Sequence, residues 1–355
     1  MRLNSILETK MENRKLIDNV HPFIEMKKAV SFDSPVVDCT VTNDLIIASA
    51  YCENTNEILY NILFLYEYNT KTDEGTPKFQ IKVNFFDQRE NILNRMGIQI
   101  IKKAPAQDRI VTEIKKAIDN NSIVIMHIDL FYQKGRTYYY KEKHGYHTIL
   151  IYGYDNEKKV FYTIDNIHGY DIYEVNFDML PEYYIGLHDF LGYKRNDIYI
   201  NEYVYSKNGR EKRLENTDNL LSFCKNMSNS HERWKQSIES IIMLKENLSF
   251  FWHYRNFEED LATIKYRKAS ECFRLQKLKE CNLFDGLCLK KMEENLAAIL
   301  EDWKKFHGLV MYNRIRNNYT QIPVVINKLL DDIYNREILF SEDLFKEINR
   351  ILQEK

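Results

Sequence analysis

Paired cysteines are missing from this sequence. Its six, Cys39, Cys52, Cys224, Cys272, Cys281 and Cys288, include no C-x-x-C pair and are neither evenly nor densely spaced. That excludes a secreted disulfide framework and speaks against structural zinc. A basic excess is also missing: the formal net charge is -2 with 29% charged residues, so nothing is provided to hold a nucleic-acid backbone, and no acidic tail is present. No stretch approaches the roughly 20 apolar residues of a membrane span. The first residues, MRLNSILETKMENRKLIDNV, lack the continuous apolar core of a signal peptide. A soluble, cytoplasmic protein is expected, with no membrane or nucleic-acid partner. Glycine (11) and proline (6) are scarce and tyrosine (25) abundant, a bias that AT-rich coding explains without a function.

What is present changes character once. A chain of 355 residues exceeds what one core comfortably organises, so two domains are expected. Up to about Tyr205, short alternating runs mix with helical periods. TEIKKAIDNN reads as a helix leading into SIVIMHIDLFY, a strand from Ser122 to Tyr132. HTILIYGYDNEKKVFYTIDN sets two β-rich runs on either side of Asp155 to Lys158, the pattern of a β-hairpin. From about Ser206 onward, long charged segments carry apolar residues near i, i+3, i+4 and i+7. SKNGREKRLENTDN joins the halves, its end able to start a helix. The expected fold class is α+β: a mixed domain over residues 1–205, then a helical bundle over residues 206–355. Exposed helical stripes pair within a bundle or between chains, which leaves a homo-oligomer through the helical domain open.

In the mixed half, DSPVVDCTVTNDLIIASAY places the thiol of Cys39 at the start of a segment that reads as an amphipathic helix. A core cysteine behaves as a small hydrophobe, but Asp38, Thr40, Thr42 and Asn43 are polar, cap-like neighbours. A helix N-terminus favours an anion, and a thiolate is one. A cysteine nucleophile also needs a base, a group that orients the base, and donors for the oxyanion. His147 opens the first hairpin strand and Asp165 lies near the end of the second. Their separation is even, so an odd-length loop puts them opposite each other on one face, whereas an even loop gives that place to Asn166. Asp165 is preferred and Asn166 competes, since an amide also orients a histidine. Cys52, closing the apolar run LIIASAY, is the rival nucleophile, with packing as its default role.

These residues resemble a family. DC opening a helix, then HTILIYGYD and FYTIDN far downstream, looks like the Cys, His, Asp order of papain-like thiol enzymes, in particular the bacteriocin-processing peptidases. MHIDLFYQKGRTYYYKEKHGYHTILIYGYDN is closer to the acyltransferases of butirosin biosynthesis and their relatives in thiotemplated natural-product clusters. The shared features are a D-x-x-Y strand (Asp129, Tyr132), an H-x-x-H step (His144, His147) and a G-Y-D strand end (Gly153 to Asp155). The resemblance covers about residues 30 to 185. Two features depart from papain-like enzymes: no Gln precedes the cysteine, and Thr40 and Val41 stand where a small residue is expected. The oxyanion donors then fall to the Cys39 N–H first, with Asn43 as a side-chain candidate.

The resemblance implies a papain-like domain with a central antiparallel sheet and a reaction in which Cys39 takes an acyl chain from a phosphopantetheine thioester and passes it to an amine, with His147 as base. The implied partners are an acyl or peptidyl carrier protein, which brings the phosphopantetheine arm, and a small-molecule amine acceptor. No bound cofactor and no metal are expected. Asp129, Tyr132 and His144 are candidates for substrate contact. A carboxylate at Asp129 suits a cationic amine, although it suits buried backbone donors equally, and His144 suits a solvated loop equally. FFWHY (Phe250 to Tyr254) is a candidate cover that keeps water from the acyl-enzyme, and NGREKR (Asn208 to Arg213) a candidate docking patch. The alternatives are a cytosolic cysteine peptidase or amidase, and a non-catalytic binding or scaffold protein on the same fold.

Overall fold

Runs of β-branched and aromatic residues become the strands of this protein, and the long charged periodic segments become its helices. The computed structural model describes residues 14–20, 38–52, 55–69, 78–136, 139–165, 171–192, 200–206, 216–254, 257–316 and 324–355. In chain order these form β1 (Arg14–Leu16), α1 (Cys39–Cys52), α2 (Asn56–Tyr60), β2 (Ile62–Asn69), β3 (Lys78–Phe85), α3 (Arg89–Arg95), β4 (Ile98–Lys103), α4 (Ile110–Asp119), β5 (Ile123–Asp129), β6 (Tyr146–Asp155), β7 (Val160–Asp165), β8 (Asp171–Asn176), α5 (Met179–Leu191) and β9 (Ile200–Tyr205). The helices α6 (Asn216–Asn229), α7 (His231–Glu246), α8 (Leu248–Trp252), α9 (Phe257–Glu280), α10 (Gly286–Ile315) and α11 (Val324–Gln353) follow. The fold is α+β, and every pairing among the described strands is antiparallel.

The chain divides into two compact units, one built mainly from Asp38–Ile58 and Arg89–Arg213, the other from Leu59–Gln88 and Leu214–Lys355. The second unit resumes close to the expected break, but Leu59–Gln88, expected in the mixed half, belongs with the helices. The reason is physical. β2 and β3 form a two-stranded sheet in register from Ile62↔Phe85 to Asn69↔Lys78, and such a hairpin is marginal alone in water. It buries Ile62 through Tyr66 and packs on α7 and α9. Phe251 and Trp252, offered above as a cover, are buried in this unit's own core, Phe251 lying 5.6 Å from the Tyr68 ring and 5.3 Å from Phe257. Residues 207–215, and with them NGREKR, lie outside the described residues; α6 begins at Asn216. No described helix is long and apolar enough to cross a membrane.

The first unit is a seven-stranded sheet in the order β4-β9-β5-β6-β7-β8, with β1 paired to β6 beyond the end of β5. β1 approaches so closely that a side chain at Gly153 would meet Lys15 O at 2.7 Å, which accounts for the glycine of the G-Y-D strand end. Asp155 closes the same motif by accepting from Glu157 N and Lys158 N at 2.9 and 3.0 Å, an Asx turn that starts the hairpin loop. β5 stops at Asp129 and gives way to a 3-10 turn over Leu130–Tyr132, so the strand is shorter than the sequence run. α1 packs on β6, but it is not amphipathic: every residue from Val41 to Ala48 is buried. Its polar residues Asn43 and Asp44 are accommodated by partners. Asn43 donates to Thr148, and Asp44 pairs with Arg89 and accepts from Tyr203 Oη at 3.0 Å.

Candidate active site

The helix that carries the thiol is capped by the residue before it. Asp38 Oδ1 accepts from Val41 N at 2.8 Å and Asp38 O from Thr42 N at 3.0 Å, which leaves Cys39 at the first helical position. A backbone N–H at that position has no intrahelical acceptor. Cys39 is half-buried, and the side chains of His147 and Thr148 lie near enough to its sulfur to favour the ionised form. Cys52, the rival, points its sulfur at Met96 O at 3.3 Å, a packing role.

His147 and Asp165 meet as the hairpin pattern suggested, but by a different count. The turn between β6 and β7 is Asn156 to Lys159, an even loop, which by itself would have turned Asn166 to the face of His147. A bulge between Ile151 and Gly153 adds one residue to β6 and restores the parity, so Asp165 shares the histidine's face. The bulged residue's carbonyl is not orphaned, because Tyr152 O accepts from Ile17 N at 2.9 Å. His147 Nε2 and Asp165 Oδ1 are 2.6 Å apart. With Nε2 held there, Nδ1 is the ring nitrogen left for the sulfur. Asn166 lies outside the described residues.

Asp165 is buried and collects further donors that sequence reasoning did not find. Gln133 Nε2 donates to Oδ2 at 2.7 Å, and Arg136 Nη2 reaches both oxygens at 2.9 and 2.8 Å. Gln133 is fixed in turn, its Oε1 accepting from Arg136 Nε at 2.9 Å and its Nε2 also donating to Tyr173 Oη at 2.9 Å. The string FYQKGR contains both residues, but nothing in it points to a carboxylate so far downstream.

The charges of this cluster decide which groups are ionised. Burial alone would push the Asp165 carboxyl up, but His147, Arg136 and Gln133 outweigh it and hold it down at about 2. Burial alone would push His147 down, but Asp165 and the Cys39 sulfur raise it to about 9. Cys39 follows the same logic: burial opposes ionisation, and the hydrogen bond and charge of His147, with the Thr148 hydroxyl, bring the thiol below its ordinary value. Cys224 and Cys272 go the opposite way, burial pushing both up to about 12. The shifts of Cys39 and His147 are coupled, each group favouring the charged form of the other.

The remaining candidates take other places. Asp129 is fully buried and both its oxygens are used within the protein: Oδ1 accepts from Phe131 N and Gly145 N, each at 3.1 Å, and Oδ2 meets His144 Nδ1 at 2.6 Å. It satisfies donors at the end of its strand, the second of the two roles weighed for it. His144 stacks on Phe131 at 4.3 Å and Tyr132 lies edge-on to the same ring, both half-buried beside the exposed Lys141. Asn43, considered as an oxyanion donor, gives its Nδ2 hydrogen to Thr148 Oγ1 at 3.2 Å. Among the described residues no cluster of His, Cys, Asp and Glu could hold a metal.

Gly186 on α5 packs against the Asp129 turn. A Cβ there would lie 2.8 Å from Asp129 Oδ2, 2.9 Å from Asp129 Cβ and 2.6 Å from Tyr132 Cε2. By helix propensity alone Gly186→Ala would stabilise by about 1 kcal/mol. Because Asp129 is pinned by three partners and cannot retreat, the substitution is expected to destabilise by about 1–3 kcal/mol instead. Urea denaturation checks this, and a stabilised variant would show that the turn yields.

The comparisons with known proteins bear on this half of the chain. Residues 61–166 match the family model described as Butirosin biosynthesis protein H, N-terminal. The match agrees with the resemblance read from the sequence and takes in β2 through β7, with His147, Asp165, Gln133 and Arg136 inside it. It begins after Cys39 and so does not bear on that residue. No curated protein matches the chain.

Proposed function

We propose that this protein is an amide-forming acyltransferase of the butirosin-biosynthesis type, built on a papain-like thiol-enzyme domain. It takes an acyl group from the phosphopantetheine thioester of a carrier protein and transfers it to a small-molecule amine. The observation that carries this reading is the Cys39–His147–Asp165 arrangement at a helix start, in a chain whose 61–166 segment matches the butirosin family model.

The residues act in two half-reactions. The Cys39 thiolate attacks the thioester carbonyl, and the oxyanion of the tetrahedral intermediate forms beside the N–H of Cys39 and the positive end of α1. The carbon–sulfur bond to the pantetheine breaks, the departing sulfur takes the His147 proton, and an acyl-enzyme remains. An amine then attacks the acyl-enzyme while the now neutral His147 accepts its proton. Collapse expels the Cys39 thiolate, forms the amide and restores the resting pair. Asp165 stays ionised throughout and holds Nε2, so that Nδ1 faces the reacting atoms.

Intact-protein mass spectrometry with a panel of acyl-pantetheine and acyl-carrier thioesters tests this. An adduct is expected on the native protein and on Cys52→Ala but not on Cys39→Ala, discharged faster by an added amine than by water. Its rate should fall on the alkaline side as His147 loses its proton near pH 9. Discharge by water alone would identify a hydrolase. The absence of any adduct would remove thioesters as substrates and leave a peptide-specific enzyme or a scaffold.

A further inference from the structure

The sequence offers no Gln ahead of the cysteine, so a side-chain donor to its sulfur has to come from elsewhere in the fold. Thr148 is one. It follows His147 on β6, is buried with 3% of its surface exposed, and its hydroxyl lies against the face of α1 that Cys39 and Asn43 share, near enough to the sulfur to favour the thiolate. A hydroxyl can donate or accept, and which it does depends on its rotor. Asn43 settles that here. It is one helical turn beyond Cys39, is itself 2% exposed, and gives its Nδ2 hydrogen to Thr148 Oγ1 at 3.2 Å. With one lone pair filled by an amide donor, the hydroxyl's own hydrogen is directed away from Asn43 and is left to serve an acceptor such as the sulfur.

We propose that Thr148 is a catalytic residue, its hydroxyl donating to the Cys39 thiolate, and that Asn43 is the positioning residue that fixes this direction. The sulfur then receives two hydrogen bonds, one charged from His147 and one neutral from Thr148. His147 supplies the proton that leaves with the first product; Thr148 keeps its own throughout and helps hold the sulfur anionic between turnovers. Residues 43 and 148 come together only because α1 packs on β6, so the pair stands in for an upstream side chain without any local motif. The inference deepens the proposed function but can be tested without any acyl substrate.

The test is the pH profile of Cys39 alkylation by iodoacetamide, read by mass spectrometry on the full-length protein. Thr148→Val removes the hydroxyl with little change of shape and is expected to move the midpoint up by about one pH unit, a roughly tenfold slower alkylation at pH values below the midpoint. The plateau rate at high pH, where every thiol is ionised, should be unchanged. Thr148→Ser should restore the native profile, because it returns the donor. Asn43→Ala should shift the midpoint in the same direction by less, and it carries the test if Thr148→Val does not fold. A native midpoint in both Thr148→Val and Asn43→Ala would overturn the proposal, as would a shift that Thr148→Ser fails to reverse, which would mark a packing effect. If the alkylation profiles behave as expected while no thioester acylates the protein, this inference stands and the proposed substrate class falls.

Discussion

Asp165→Asn is expected to slow acylation of Cys39 by about 10³–10⁴-fold at neutral pH, the scale seen when the orienting carboxylate of a triad becomes an amide. The geometry here makes the change severe. Oδ1 accepts from His147 and Arg136, and Oδ2 from Gln133 and Arg136, so both oxygens face donors. An asparagine has one oxygen, and in either orientation its NH₂ group confronts a donor of Arg136. If that group turns toward His147, it selects the tautomer with hydrogen on Nδ1, the wrong nitrogen for accepting a proton from the sulfur. The imidazolium also loses its counter-charge, so the His147 pKa falls from about 9 and the Cys39 thiol rises toward its ordinary value. Alkylation of Cys39 in Asp165→Asn should then be slow at pH 7 and approach the native rate only in alkali. The variant also leaves a largely buried guanidinium unpaired, at a cost of about 3 kcal/mol. Adding Arg136→Gln should recover most of that stability and none of the acylation rate, which separates the carboxylate's structural and catalytic contributions. An Asp165→Asn protein that keeps more than a tenth of the native rate would reduce Asp165 to a structural anchor.

What could be read from the sequence follows the range of the interactions concerned. The Asp38 cap, the thiol after it, the hairpin and the long helices are set by residues within a few positions of one another, and these expectations hold. The choice between Asp165 and Asn166 needed a parity that the four-residue turn gets wrong on its own. The correction lies in a bulge at Tyr152, whose carbonyl is satisfied by Ile17, a residue far back in the chain. The amphipathic reading of α1 failed for a similar reason: Asn43 and Asp44 look like a solvated face but are met by Thr148 and by Arg89 with Tyr203. Gln133 and Arg136 were invisible for lack of a sequence signal tying a loop to a strand end beyond it. The β2–β3 hairpin reads as part of the mixed half because strands elsewhere lie there, and only its contacts assign it to the helices.

Those contacts include a buried charge cluster on which the second expected result rests. Lys268 on α9 is 2% exposed and lies between Glu271 at 2.8 Å and Glu337 of α11 at 2.5 Å. Tyr66 of β2 donates to Glu337 at 2.6 Å and accepts from Trp303 Nε1 of α10 at 3.0 Å, so one network ties the hairpin to three helices. Burial pushes the Glu337 carboxyl up against the pull of Lys268, and its Oε2 finds no partner among the described residues. Lys268→Met removes the cation and keeps the apolar volume, leaving two buried carboxylates with Arg274 beside Glu271 at 3.3 Å as the remaining cation among the described residues. The expected loss is about 3–5 kcal/mol, or roughly 10 °C in the melting of this unit. The loss should depend on pH in a definite sense. Without Lys268 the folded Glu337 binds its proton more tightly than the unfolded chain does, so the folded state holds more protons and stability falls as pH rises above the unfolded value of about 4.3. The deficit relative to native protein is therefore smallest near pH 4 and largest at neutral pH. Glu337→Gln in the same chain removes the stranded charge while leaving an oxygen for Tyr66, and should return about half of the lost stability. Thermal melts of the native, single and double variants at pH 5 and pH 7.5 decide the matter. A Lys268→Met deficit that is small and the same at both pH values would mean that water reaches the cluster and that the hairpin is held by its apolar face alone.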